Sequence, residues 1–100
     1  MKIVNLKLKI TQLRVHIRIT GQVQGVFFRR SAKIEADRLG VVGWIRNDND
    51  GSVEVMAQGK KENIDKFIAW CKKGPPFAKV EKVEVEGQGG LEEFDEFSIV

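Results

Sequence analysis

Arg14-Val15-His16-Ile17-Arg18-Ile19-Thr20 runs straight into Gly21-Gln22-Val23-Gln24-Gly25-Val26-Phe27-Phe28-Arg29, and the change of period between the two decides the fold. The first stretch alternates apolar and polar residues, the pattern of a strand with Val15, Ile17 and Ile19 facing a core. From Phe28 the spacing turns helical: Phe28, Ala32, Ala36 and Leu39 share one stripe, and Gly40 is the stop signal. The glycine-bearing turn between them lets backbone N–H groups converge where a helix dipole already favours negative charge. Arg29 would add a planar, permanently charged fork suited to two phosphate oxygens at once. The spacing predicts an anion cradle with its own clamp.

Working outward, Val41 to Asn47 reads as a second strand, Asp50-Gly51 supplies turn chemistry, and Ser52 to Ala57 reads as a third strand. Asn63 to Cys71 centres a second helix that ends before Gly74-Pro75-Pro76. Lys79 to Glu86 is a fourth strand, Gly87-Gln88-Gly89-Gly90 a loop, and Phe94 to Val100 a short fifth strand. The order is β-α-β-β-α-β with one added strand. Right-handed crossovers place both helices on one sheet face. The expected fold is a ferredoxin-like two-layer α+β sandwich with an antiparallel sheet. It occupies residues 14–100, with residues 1–13 as an N-terminal extension. In the extension, Leu6, Leu8 and Ile10 alternate with Lys7, Lys9 and Thr11, so an extra edge strand and a loosely ordered tail both fit.

One hundred residues suit one domain that needs neither disulfides nor metals to hold a core. No apolar run approaches the roughly 20 residues that span a bilayer. Met1 to Leu13 lacks the continuous apolar stretch of a signal peptide, so the expected location is cytoplasmic. Cys71 is the lone cysteine, which excludes an intrachain disulfide and a cysteine-based zinc site. Its spacing with Ile64, Phe67 and Ile68 makes it a small core residue.

The net charge of +3 hides a segregation. Arg14–Arg46 carries seven basic residues against two acidic, a net of +5, while Asn47–Val100 carries seven against twelve, a net of −5. The positive field surrounds the cradle, as a small anionic substrate would want.

At this point a resemblance becomes specific. Ile19-x-Gly21-x-Val23-Gln24-Gly25-Val26-x-Phe28-Arg29 resembles the first acylphosphatase signature at every defined position. Gly43-Trp44-Ile45-Arg46-Asn47-x-x-x-Gly51-x-Val53, with Gly59 beyond, is similar to the second, except that Ile45 stands where Ala or Val is usual. The resemblance runs from about Arg14 to Val100. It implies hydrolysis of small acyl phosphates to a carboxylate and inorganic phosphate, without metal or cofactor.

The chemistry agrees with that implication. A carboxylate leaving group, whose conjugate acid has a pKa of about 4, departs unprotonated, so no general acid is required. What remains is to hold the phosphoryl group, neutralise its equatorial oxygens and aim a water in line. The first two tasks fall to the amides of Gln24, Gly25, Val26, Phe27 and Phe28 and to Arg29. The resemblance makes Arg29 and Asn47 catalytic, with the Asn47 amide holding the attacking water by hydrogen bonds.

Competing readings are weaker. Arg30 is expected to face solvent. Asp48-x-Asp50-Gly51 resembles a calcium loop, but Arg46 and Ala57 occupy the first and twelfth ligand positions. One histidine, His16, on the polar sheet face makes a metal site unexpected. Gly21-x-x-x-Gly25 lacks the Lys-Ser/Thr of a nucleotide loop. Trp44 and Trp70 read as packing residues. A ferredoxin-like RNA-binding module would need base-stacking aromatics on its central strands, and the chain has no tyrosine, so no nucleic acid partner is expected. Larger carbamoyl-transfer maturation proteins share such a cradle but add zinc-finger cysteines. No membrane partner is expected, and a monomer is.

Overall fold

Strand β1 (Gln12–Gln22) buries Val15, Ile17 and Ile19 and turns His16, Arg18 and Thr20 the other way, so its alternation becomes a two-faced sheet. The structure is a computed structural model and describes residues 12–90 and 93–100. The extension's residues 1–11, with the edge strand or tail expected there, lie outside the described residues. Gln12 and Leu13 pair with Lys60 and Gly59 as the start of β1.

Five further elements follow in the expected order, then a sixth. They are α1 (Phe28–Leu39), β2 (Val42–Asn47), β3 (Val53–Lys60), α2 (Lys61–Lys73), β4 (Lys79–Gly87) and β5 (Phe97–Ile99). The sheet order is β4-β1-β3-β2-β5. One core joins its inner face (Ile17, Ile19, Ile45, Val53, Val55) to both helices. α1 contributes Phe28, Ala32, Ala36 and Leu39. α2 contributes Ile64, Phe67 and Cys71, and burial pushes the Cys71 thiol well above its ordinary pKa, as an inert core residue requires. Trp70 joins the helices by meeting the Phe28 ring edge-on at 5.3 Å. Ile45 is fully buried among the same core residues.

The expectation of a wholly antiparallel sheet is corrected at one edge. β1, β3, β2 and β4 pair antiparallel, but β5 pairs parallel to β2, with Gly43 opposite Phe97 and Ile45 opposite Ile99. The chain leaves β4 at one edge and crosses beneath the start of β1, where Gln88 N–H donates to the Arg14 carbonyl at 2.8 Å. It then rises at the opposite edge. β5 therefore runs against β4, which makes it parallel to β2. Its three residues also form a shorter strand than Phe94–Val100.

Gly21 ends the regular part of β1. The register with β4 shifts between Thr20 and Gly21, and Gly21 has φ 128°. A Cβ there would lie 2.1 Å from the Lys79 carbonyl oxygen, so a side chain has no room. The bulge turns the chain off the sheet and into the loop before α1.

Candidate active site

Residues 23–27 connect β1 to α1, and their backbone curls into the left-handed region twice, at Gly25 (φ 74°) and Phe27 (φ 65°). α1 starts without a side-chain cap and with no acidic residue in its first turn. Its first internal hydrogen bond from this end is Ser31 N–H to the Phe27 carbonyl, at 3.0 Å. The amides of Phe28, Arg29 and Arg30 thus precede the helical ladder. Among the described residues, no amide from Val23 to Phe27 donates to a backbone carbonyl outside the sheet. A run of uncommitted donors at a helix N-terminus is an anion site in waiting.

A cleft of about 340 Å³ opens over this loop. Gly25, Phe27, Phe28 and Arg29 line one side, and Asn47 at the end of β2 and Ile99 of β5 complete it. The structure thus brings the two residues marked as catalytic into one cavity, although 18 positions separate them in sequence. Gln24 and Val26 do not line it. Val26 leans against the core, and Gln24 points its side chain elsewhere. Arg30, expected to face solvent, is exposed but also lines the cleft.

Arg18, Arg38 and Arg46 each pair with a carboxylate. Among the described residues, neither Arg29 nor Arg30 has a carboxylate within 4.0 Å. Two unpaired guanidinium-bearing residues beside the positive end of a helix repel their surroundings unless an anion enters. Opposite them, the Asn47 Oδ1 is buried and lacks any hydrogen-bond partner among the described residues. A buried amide oxygen of that kind calls for an O–H or N–H donor.

The Gln24 side chain was the part that sequence reasoning missed. Its Nε2 donates to the carbonyl oxygens of Asp48 at 2.8 Å and Ser52 at 2.9 Å, the two ends of the β2–β3 turn. Gln24 therefore ties the cradle loop to the turn next to Asn47. Only the position of glutamine in the first signature hinted at it.

The turn is closed by hydrogen bonds to its own acidic residues. Asp50 accepts from the Ser52 hydroxyl at 2.6 Å and from its N–H at 3.0 Å, which, with Arg18 nearby, lowers the Asp50 pKa. Another ionic cluster sits on the open sheet face. There His16 meets Glu54 at 2.6 Å, and Arg46 meets Glu54 and also covers the Trp44 ring at 5.1 Å. Burial raises the Glu54 carboxyl, but the hydrogen bonds from His16 and Arg46 outweigh it and leave the pKa below its usual value.

Comparison with known proteins agrees with this geometry. The sequence profile of the acylphosphatase family matches residues 15–99. An acylphosphatase of Methylococcus capsulatus is 45% identical over 87% of this chain and 95% of its own. The structure of an acylphosphatase from Coxiella burnetii superposes with a TM-score of 0.89 at 33% identity, covering 94% of this chain and 98% of that one. The Bacillus subtilis acylphosphatase gives 0.85 at 40% identity, covering 88% and 98%. The chain belongs to the acylphosphatase family, whose function is the hydrolysis of acyl phosphates.

Proposed function

We propose that the cleft between the 23–27 loop and Asn47 hydrolyses small acyl phosphates by direct attack of water on phosphorus. The amides of Gly25, Phe27 and Phe28 and the Arg29 guanidinium hold the phosphoryl oxygens and offset the charge that spreads over them in the transition state. The Asn47 side-chain amide holds the attacking water by hydrogen bonds and aims an oxygen lone pair at phosphorus. As the new P–O bond forms, the bond to the acyl oxygen breaks and its electron pair leaves with the carboxylate. A phosphate oxygen of the substrate takes the water's proton, so the protein supplies neither acid nor base. The carboxylate is stable enough to leave as an anion, and Arg29 with the helix dipole supplies positive charge, so the step needs no metal.

The observation that carries this reading is that Asn47 lines the same cleft as Arg29 and the helix N-terminal loop, although 18 positions separate the two residues in sequence. We also propose that the protein acts as a monomer, because one chain supplies every group the step uses. Its lone, buried cysteine suits a reducing, cytoplasmic setting.

The direct test is turnover of acetyl phosphate in excess chelator by wild type, Arg29→Ala and Asn47→Ala. Asn47→Ala should lose roughly 10²–10³ in kcat, as other polar contacts to a transition state do. Arg29→Ala should lose at least as much, with KM raised as well. Wild-type rates in both variants would sink the mechanism.

A further inference from the structure

Phe27 is the single non-glycine residue among those described with positive φ, at 65°, and its side chain is 71% exposed. Among the described residues the ring finds little cover. Glycine or asparagine would adopt that backbone at less cost, and an aromatic ring left in water gains nothing from packing. Yet the ring stands on the cleft with Ile99, itself 43% exposed. Strained backbone that persists beside a binding cleft points to a ligand.

The cleft has room for more than a phosphoryl group, since its volume of about 340 Å³ falls in the range of pockets that take a whole small ligand. In-line displacement orders the occupants. Asn47 is partly buried where Phe27 is exposed, so a water held by Asn47 lies at the inner end. The leaving acyl group must lie on the other side of phosphorus, toward the exposed mouth. Phe27 and Ile99 are the apolar surfaces there.

We infer that Phe27, with Ile99, forms an apolar lip that binds the acyl part of the substrate and makes the enzyme prefer acyl phosphates with apolar, above all aromatic, acyl groups. The inference rests on the acyl phosphate reading of the cleft. Arg30 lines the same cleft and is the rival, because a guanidinium would favour an acyl group bearing its own carboxylate.

The test compares kcat/KM for benzoyl, acetyl and succinyl phosphate in wild type, Phe27→Asn, Phe27→Leu, Ile99→Thr and Arg30→Ala. Asparagine suits the left-handed backbone, leucine keeps the apolar surface, and Ile99→Thr probes the lip if a variant at 27 folds badly. Taking each variant's benzoyl-to-acetyl ratio against that of wild type cancels the esters' intrinsic reactivities. The ratio should fall about threefold to tenfold in Phe27→Asn, less in Ile99→Thr, and stay near wild type in Phe27→Leu. A ratio unmoved in both Phe27→Asn and Ile99→Thr overturns the inference, as does an equal loss on all three substrates. A succinyl preference that vanishes in Arg30→Ala and survives in Phe27→Asn assigns the selection to Arg30 instead. Absence of turnover on every acyl phosphate by wild type is a different result, and it removes the underlying reading as well.

Discussion

The side-chain amide of Gln24 donates to the Asp48 carbonyl at 2.8 Å, joining the loop that carries the anion donors to the turn that follows Asn47. In the proposed mechanism phosphate and water are held in one line, so the two segments that would hold them have to be held to each other. One neutral side chain, with a second bond to Ser52, does that without adding charge beside an anion.

Replacing Gln24 by glutamate should therefore separate the two halves of the site. A carboxylate set against two carbonyl oxygens loses both donated bonds and repels the acceptors, at a cost of roughly 1–3 kcal/mol. We expect kcat to fall about tenfold to a hundredfold, because Asn47 shifts relative to the cradle. Inhibition by inorganic phosphate should weaken less. Steady-state kinetics with phosphate as competitor checks this, and phosphate affinity falling in step with kcat would contradict the positioning role.

Inorganic phosphate should stabilise the native protein through Arg29. A ligand that binds only the folded state adds about 2.7 kcal/mol at a hundred times its Kd, which raises Tm by roughly 10–20 °C in a domain of this size. Differential scanning fluorimetry over a phosphate series should show that rise in wild type. Little of it should remain in Arg29→Ala, while sulfate-free chloride at matched ionic strength should leave both unmoved.

Gly21→Ala should destabilise without touching the cleft chemistry. At φ 128° the new Cβ would lie 2.1 Å from the Lys79 carbonyl oxygen, so β1 and β4 would have to part at the bulge. The expected cost is about 2 kcal/mol or more, from left-handed strain and the clash together. Urea unfolding measures it as a lower midpoint at unchanged slope.

The Glu54 cluster predicts an acid-side loss of stability. Its pKa is depressed in the folded protein by His16 and Arg46 in spite of burial, so its contribution is fully present above the unfolded carboxylate pKa. That contribution is lost as pH falls through the lower, folded value. Glu54→Gln should therefore be less stable than wild type near pH 7, and the gap should narrow as pH drops below the ordinary carboxylate range of about 4. Thermal melts of both proteins from pH 7 to pH 3 decide it; a constant gap would mean the carboxylate's charge is not involved.

Much of the fold was legible because two periods alternate so regularly. Phe28, Ala32, Ala36 and Leu39 mark α1 to the residue at both ends, since the Phe27 backbone and Gly40 bound it. The second helix ran longer than expected, to Lys61 and Lys73, because its first and last turns are charged and leave no apolar trace. β5 shows the limit most plainly. A short strand such as Phe97–Ile99 has no preference of its own for a parallel or antiparallel neighbour, and its place beside β2, at the sheet edge opposite β4, imposes one.

The sequence by itself determined the α+β class and the strand–loop–helix order, and it pointed to Arg29 and Asn47 as candidates, because these depend on local period and on motif residues. Tertiary structure alone decided that Arg29 and Asn47 share one cleft, that Gln24 bonds to Asp48 and Ser52, and that Phe27 and Ile99 line that cleft too. The physical reason is range. Period, capping and turn chemistry act over a few neighbouring residues, whereas the cleft is closed by β2, β5 and α1, whose approach is set by burying one common core.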